Sequence, residues 1–190
     1  EVGDSVSLAA NVLGEMGASV EDVSIPLTSH ARTISDALRV QAPTNYRELV
    51  RHRLQEIRHD NRISYLTWSL IPALAYYKAE KLRALLRQQV LEALQRVDVL
   101  LSPTSAVAAL KIEPDRAIDA KKKGNRNPWG LTPAFSLANV PALSICCGFT
   151  SQNLPIGLQI AGAAFREDTM LKMAHAYEQN TPWHTRRPPL

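Results

Sequence analysis

Two apolar segments near the end of the chain, joined by a short polar loop, constrain the fold more than any other feature. The segments are "ALSICCGF" (residues 142–149) and "IGLQIAG" (residues 156–162), and apart from two cysteines they hold no ionisable side chain. Gly148, Gly157 and Gly162 lie where the backbone must turn. The pattern predicts two buried strands, which form either the frame of an active site or only a hairpin of the core.

A long amphipathic helix runs directly into a third apolar segment. Apolar side chains recur on one face from Ala75 to Val97, and "DVLLSPT" follows at once, stopping at Pro103. This run is too short for a helix and favours a buried strand. A final helix is predicted from Glu167 to Asn180, after the hairpin. A helix that leads straight into a strand is typical of α/β proteins, so we expect that fold class.

The other segments carry weaker signals. We expect a helix over residues 4–16, a strand in "SVEDVSIP" that closes at Pro26, polar helices over residues 29–61 with a break near Pro43, an irregular loop over residues 105–129, and a short helix that Thr132 caps and Pro133 begins. No second domain boundary is visible. The interpretation is therefore one domain over residues 1–190.

Composition excludes several classes of protein. The chain has 190 residues, of which 45% are hydrophobic and 21% charged, values close to the globular average. No apolar run approaches the roughly 20 residues of a membrane helix, and the first residues do not resemble a signal peptide. The neighbouring Cys146 and Cys147 have poor geometry for a structural disulfide, which fits a reducing compartment. We expect a cytoplasmic protein with no membrane partner.

The charge pattern favours solvated helix faces over a nucleic-acid surface. The net charge is +4, but bases and acids are interleaved, as in "RELVRHRLQEIRHDNR". The one tight basic cluster, from Lys121 to Arg126, lies in a loop-like stretch without interleaved aromatic residues. We expect no nucleic-acid partner.

Catalytic motifs are missing from the sequence. It has no Gly-x-Ser-x-Gly elbow, Ser-x-x-Lys, phosphate loop or His-Glu-x-x-His. Its five histidines are scattered, which predicts no metal site and no cofactor. Cys146 or Cys147 could form a thiolate pair with His175, but two small apolar thiols in such a strand are more often part of the core.

Three blocks carry a resemblance to a known family. The chain resembles the carboxy-terminal part of the amidase signature family in the order and spacing of three segments: "VDVLLSPT", "LTPAFSLANVPALSICCGF" and "LPIGLQIAGAAFREDTMLKMAHAYE". Tyr76, Ala79 and Arg83 on the long helix, and "NYRELVRHRL" before it, fit the same family. The resemblance covers nearly the whole chain. It implies a mixed β-sheet flanked by helices, of which this chain is the incomplete carboxy-terminal part.

The resemblance also implies an activity. Members hydrolyse amides, or pass the released ammonia to an acceptor, with a Ser–cis-Ser–Lys triad in their amino-terminal part. This sequence has no Gly-Ser-Ser segment, so no catalytic residue carries over to it. By position, the loops after "LLSPT" and around "GLTPAFS" would supply one wall of a pocket for a small-molecule amide, with Thr104, Trp129, Thr132 and Ser136 as the candidate residues.

The sequence departs from the family pattern at three positions. Ser136 stands where the family usually has Asn, Asn139 where it has Gly, and Cys146 where it has Pro. The Tyr-Asp-Gly-Val-Arg-Tyr-Gly run of the tRNA-dependent amidotransferase branch is missing, and so is the acidic residue that this branch carries shortly before the Thr of "LTPAFS". The three substitutions affect the expected loop geometry and polarity of the pocket, and the two missing features favour a family member outside that branch.

Two functions follow as hypotheses. The first is a scaffold and pocket-wall part of an amidase-like hydrolase, inactive alone, whose partner is the missing amino-terminal half or a second copy bound through an exposed sheet edge. The second is a free-standing α/β interaction or ligand-binding module without catalysis. A nucleic-acid role ranks third.

Overall fold

A three-stranded antiparallel sheet lies between two groups of helices. The computed structural model describes residues 1–110 and 131–187. In chain order the helices and strands are α1 (Val2–Glu15), α2 (Ala31–Leu38), α3 (Gln41–Asn45), α4 (Arg47–His52), α5 (His59–Trp68), α6 (Ala73–Leu94), β1 (Val99–Pro103), α7 (Pro133–Ala138), β2 (Ala142–Phe149), β3 (Pro155–Gly162) and α8 (Glu167–Gln179). Single 3₁₀ turns occur at Pro26–His30, Leu54–Glu56 and Trp183–Thr185.

Strand β3 occupies the centre of the sheet. The strand order is β1–β3–β2, and β3 pairs antiparallel with both neighbours. Leu158 faces Pro103 on β1 and Ile145 on β2. The predicted hairpin is therefore confirmed, and so is the strand in "DVLLSPT". The α/β fold class is confirmed as well, with an antiparallel sheet in the described part of the chain.

One face of the sheet is apolar along its whole length. Ile156, Leu158 and Ile160 are almost fully buried beneath α1 and α8. Because successive side chains of a strand point to opposite faces, these three residues all lie on this face of the sheet. Six further buried residues complete the cluster: Ala9, Leu13, Cys147, Met170, Ala174 and Tyr177. This packing fixes the first and last helices against the hairpin.

The opposite face is apolar at one end only. There Leu100 and Ala161 pack against α2, α6 and α7. Leu86 and Val90 of α6 are completely buried in this cluster, as the predicted amphipathic face requires. The helical layer thus covers the end of the sheet where β1 and β2 begin.

Two arginines of α6 hold the end of α7. Arg83 Nε donates a hydrogen bond of 3.1 Å to the Leu137 carbonyl, and Arg87 Nη1 donates to the carbonyls of Ala138 and Asn139. Carbonyls in the last turn of a helix have no partner within the helix, so outside donors stabilise its end. The entry of the chain into β2 depends on these contacts.

The predicted strand over residues 19–26 is wrong. Residues 18–25 form neither helix nor strand, although Val23 and Ile25 pack against the cluster around α6. Alternating apolar residues here reflect an extended segment lying on helices without backbone pairing. The helical region over residues 29–61 is real, but it is divided into α2, α3, α4 and the start of α5.

The predicted irregular loop over residues 105–129 lies largely outside the described residues. Its described portion, residues 105–110, contains neither helix nor strand. None of the described helices combines the length and the apolar character needed to cross a membrane.

Replacing Arg87 with Ala should lower the free energy of unfolding by about 1.5–3 kcal/mol, the range for hydrogen bonds to a charged group. The loss arises because the Ala138 carbonyl then has no donor from α6. Urea denaturation measures it. Arg96→Ala is the matched control, since Arg96 is exposed just beyond the same helix, and it should change stability by less than about 0.5 kcal/mol. Equal effects of the two variants would contradict this role of Arg87.

Candidate functional site

A row of polar side chains lies on the sheet face that α6 and α7 cover only in part. On β3, Gln159 points to the face opposite Leu158, between Gly157 and Ala161. The register places Ser102 of β1 and Ser144 of β2 on either side of Gln159. We call Ser102, Thr104, Ser144 and Gln159 the hydroxyl–carboxamide cluster.

One pair in the cluster is hydrogen-bonded across the sheet. Thr104 Oγ1 and Ser144 Oγ are 2.6 Å apart, and the Thr104 amide donates to the Gly157 carbonyl at 2.8 Å. A Cβ at Gly157 would lie 2.7 Å from Thr104 Oγ1 and 2.9 Å from Ser144 Oγ. Only glycine therefore permits the two hydroxyls to meet over the central strand.

Two other atoms of the cluster have no hydrogen-bond partner among the described residues. They are Ser102 Oγ and Gln159 Oε1, and both are buried. Gln159 is only 5% exposed. A buried polar atom without a partner costs about 1–3 kcal/mol. The cluster carries no formal charge, so it suits a neutral polar group.

The predicted wall residues fall into two places. Thr104 belongs to the hydroxyl–carboxamide cluster. Thr132 directly precedes α7 as predicted, but its side chain makes no capping hydrogen bond to the helix. Ser136 Oγ donates to the Thr132 carbonyl at 3.3 Å, which joins these two residues on α7. Trp129 lies outside the described residues.

The backbone explains one departure from the family pattern. Asn139 ends α7 with φ 56° and ψ 48°, in the left-handed region. Glycine adopts this conformation at least cost, and asparagine is among the few other residues that tolerate it. Asn139 thus keeps the turn that a glycine would make at this position.

The thiols do not have the environment of a nucleophile. Burial raises the pKa of the Cys147 thiol to about 11, and the neighbouring Cys146 adds to the effect. Cys146 Sγ donates to the Gly148 carbonyl at 3.4 Å, while His175 is exposed on α8. A reactive cysteine needs a lowered pKa, so a thiolate pair of Cys147 with His175 gains no support and the core interpretation of Cys147 fits better.

The described part of the chain contains no cluster of side chains of the kind that holds a metal ion. Nowhere in residues 1–110 and 131–187 do three His, Cys, Asp or Glu side chains come together as metal ligands would. A surface groove does run along α6, lined by Ala84, Arg87 and Leu91 among others, but none of the predicted wall residues lines it.

Sequence reasoning missed Ser102, Ser144 and Gln159. A signal for Gln159 was present, because it interrupts the apolar residues of "IGLQIAG" at the position between Leu158 and Ile160. Because side chains alternate between the two faces of a strand, this position predicts that the Gln159 side chain lies on the face opposite Leu158 and Ile160. The meeting of the three residues depends on the register across two strand pairs, which the sequence did not reveal.

Comparison with known proteins assigns the chain to a family. The family model described as Amidase matches residues 1–171. The chain is 34% identical over 221 residues to a glutamyl-tRNA(Gln) amidotransferase subunit of Picosynechococcus sp., a match that covers 100% of the chain and 44% of that relative. The chain thus spans less than half the length of this relative.

Solved structures share the fold. A bacterial aryl acylamidase of the amidase signature family is 22% identical, with a TM-score of 0.79 and coverage of 99% of this chain and 43% of the acylamidase. The corresponding glutamyl-tRNA(Gln) amidotransferase subunit of Thermotoga maritima is 29% identical, with a TM-score of 0.68 and coverage of 95% and 39%. With its family model matched over most of its length, and its fold shared with these structures, the chain belongs to the amidase family.

Proposed function

We propose that this chain is the carboxy-terminal part of a hydrolase acting on carbon–nitrogen bonds of amides. The family match over residues 1–171 carries this proposal. In it, β1, β2 and β3 form part of a larger sheet, and the nucleophile belongs to polypeptide outside this chain. The chain supplies scaffold and one wall of the site for a small-molecule amide.

The chemistry of the described residues supports this division of labour. The hydroxyl–carboxamide cluster can hold a neutral polar group, but it contains no base beside its hydroxyls to activate them. Amide hydrolysis needs an activated nucleophile together with donors for the oxyanion. Thr104, Thr132, Ser136 and Trp129 remain our proposed wall residues, with Ser102, Ser144 and Gln159 added to them. The reaction consists of either hydrolysis or transfer of the amide nitrogen.

One prediction of this proposal concerns activity. The chain alone should release no ammonia from acetamide or glutamine above the blank. The same chain, expressed with the polypeptide encoded directly upstream of Glu1, should release it, because the nucleophile is then supplied. An enzyme-coupled ammonia assay measures both.

A matched control uses an upstream polypeptide in which the serines of its Gly-Ser-Ser segment are replaced by alanine, which should abolish the release. Ammonia release by the chain alone would contradict the proposal. An upstream frame without such a segment would favour the alternative, a ligand-binding module without catalysis.

A further prediction concerns the thiols. At pH 8, iodoacetamide should modify Cys146 but not Cys147, because a thiol with a pKa of about 11 is almost fully protonated. Mass spectrometry of peptides from the native chain measures the modified fraction, and urea-unfolded chain is the control in which both react. Rapid modification of Cys147 in the native chain would reopen the case for a cysteine nucleophile.

The same pKa implies a pH dependence of stability. The thiol of the unfolded chain titrates near 9.0 and that of the folded chain near 11. The unfolded state therefore loses its proton first, so this contribution is fully present below about pH 9 and disappears as the pH rises toward 11. Cys147→Ser should show a smaller fall in urea midpoint over this interval than the native chain.

Another prediction concerns association. Strands β1 and β2 are the outer strands of the described sheet, and Phe165 and Leu70 are 91% and 81% exposed. Open strands and exposed apolar side chains favour pairing with other polypeptide. The isolated chain should elute ahead of a 21.0 kDa monomer and bind a hydrophobic dye. A clean monomer that binds no dye would count against a missing partner.

A further inference from the structure

A strained backbone position lies in the turn between β3 and α8. The Arg166 amide donates to the Ala163 carbonyl at 3.1 Å, and Phe165, the third residue of this turn, has φ 63°. A positive φ at this position of a turn usually requires glycine or asparagine. Among the described residues other than glycine, two more have a positive φ, and both are asparagines, Asn139 and Asn153. Phe165 is thus the one bulky side chain that the described backbone holds in the left-handed region.

Packing within the described part of the chain does not offset this strain. The Phe165 side chain is 91% exposed, more than any other large apolar side chain among the described residues. The other two phenylalanines differ, since Phe135 is buried and Phe149 packs beside Trp183, with 6.1 Å between ring centres. Strained residues persist where their surroundings fix them, and they cluster at functional sites. The strain and the exposed ring together point to a contact with other polypeptide.

The turn is fixed on both sides of Phe165. A Cβ at Gly162 would lie 2.6 Å from Met170 Sδ, so the end of β3 packs closely against α8. On the other side, the Thr169 amide donates to the Arg166 carbonyl at 3.1 Å, and Arg166 Nη2 donates to Thr169 Oγ1 at 3.0 Å. A ring that is already held in place loses little freedom on binding, which favours association. These are the properties of an anchor residue at an interface.

The residues around Phe165 indicate that its counterpart is an apolar pocket. Arg166 Nε lies 3.7 Å from Asp168 Oδ1, and Lys172 Nζ lies 3.2 Å from Asp168 Oδ2. Because these charges are paired with one another, a partner needs no opposite charge of its own. Ala164, which is small and exposed, permits a close approach to the turn. An aromatic side chain inside a polar rim is the usual arrangement at the centre of an interface.

Two observations favour polypeptide of the same enzyme as the partner. The match to one relative includes the whole of this chain but only 44% of the relative, so more than half of that protein lies outside the match. Phe165 follows Gly162 by three residues, and Gly162 pairs with Val99 at the beginning of β1. Strand β1 is an outer strand of the described sheet, and our proposed function assigns its free edge to polypeptide outside this chain. One polypeptide can therefore contact both the strand edge and the aromatic ring.

We propose that Phe165 is the anchor by which the rest of the enzyme docks on the turn between β3 and α8. Its ring inserts into an apolar pocket of the polypeptide encoded upstream of Glu1. This role rests on the proposed function, which supplies the partner. Burial of the ring in the complete enzyme offsets the strain at Phe165, and in the isolated chain nothing among the described residues does so.

One substitution has opposite expected effects in two forms of the protein. In the isolated chain, diluted until it is monomeric, Phe165→Gly should raise the urea midpoint by about 0.2–0.5 M, because glycine adopts the left-handed conformation without steric strain. In the continuous polypeptide that also contains the upstream part, it should lower the midpoint by at least about 0.5 M, because a buried ring is lost. A fall in the isolated chain, or no fall in the continuous polypeptide, would overturn the proposal.

Leu171→Ala is the matched control. Leu171 is also an exposed apolar residue, 60% exposed on α8, but its backbone is helical and unstrained. This variant should change the midpoint of either form by less than about 0.2 M. A fall in the continuous polypeptide as large as that of Phe165→Gly would indicate a diffuse contact and contradict the role of Phe165 as anchor.

Fluorine NMR reads the environment of the ring directly. A chain labelled with 4-fluorophenylalanine carries three fluorinated rings, and Phe165→Leu assigns the signal of Phe165. In the monomeric isolated chain this signal should show the largest change in chemical shift between H₂O and D₂O, since its ring lies in water. In the continuous polypeptide the change should disappear. Its persistence there would contradict burial of the ring.

The same signal distinguishes a second copy of the chain from the proposed partner. Loss of the solvent effect on concentration of the isolated chain, without its loss in the continuous polypeptide, would identify a second copy as the partner and overturn the proposal. Because these measurements read stability and ring exposure and not ammonia release, their failure is distinguishable from failure of the proposed hydrolase function.

Discussion

The structure depends on the burial of both faces of the central strand, β3. On one face of β3, Ile156, Leu158 and Ile160 pack against α1 and α8. On the other face, Ala161 packs against α2, α6 and α7. Each fully buried aliphatic side chain contributes about 1.5–3 kcal/mol. A substitution on either face of β3 therefore affects helices that are far apart in the sequence.

The same strand explains why the polar residues are grouped. Gln159 and Gly157 of β3 belong to neither of the two apolar clusters that pack on the sheet. The register of the two strand pairs places Ser102 of β1 and Ser144 of β2 beside Gln159. In our account this region and the two outer strands are completed by polypeptide of the same enzyme. The comparison with one relative agrees with this account, because the match includes the full length of this chain but only 44% of the relative.

Local pattern was enough to predict much of this fold. Clear apolar patterns mark several confirmed features. The strands β1, β2 and β3 are short apolar runs, and α6 and α8 repeat apolar residues on one helical face, so local propensity and burial favour the same structure. The strand predicted before Pro26 is wrong because the alternating apolar side chains of this segment pack on helices, and its backbone does not pair with a neighbouring strand. The division of residues 29–61 into short helices is not visible in the sequence pattern, and neither is the stacking of Tyr46 on Tyr65, with 5.8 Å between ring centres.

The candidate site was predicted less completely than the fold. The family resemblance proposes Thr104, which directly follows Pro103, as a wall residue. Ser102, Ser144 and Gln159 are close only through pairing between strands that are distant in sequence, as the 40-residue separation of Thr104 and Ser144 illustrates. Such a register is a property of the assembled sheet. The short helix that begins at Pro133 is confirmed, although Thr132 does not cap it with its side chain, and the contacts of this helix with Arg83 and Arg87 of α6 are not visible in the sequence.

The central claim is that β1 and β2 are interior strands of a larger sheet, and backbone hydrogen exchange tests it most directly. In the isolated chain, diluted until it is monomeric, amides of β3 should be protected, whereas alternate amides of β1 and β2, which point away from β3, should exchange rapidly. Addition of the polypeptide encoded upstream should protect these outer amides without changing those of β3. Full protection of β1 and β2 in the monomeric isolated chain would contradict the claim.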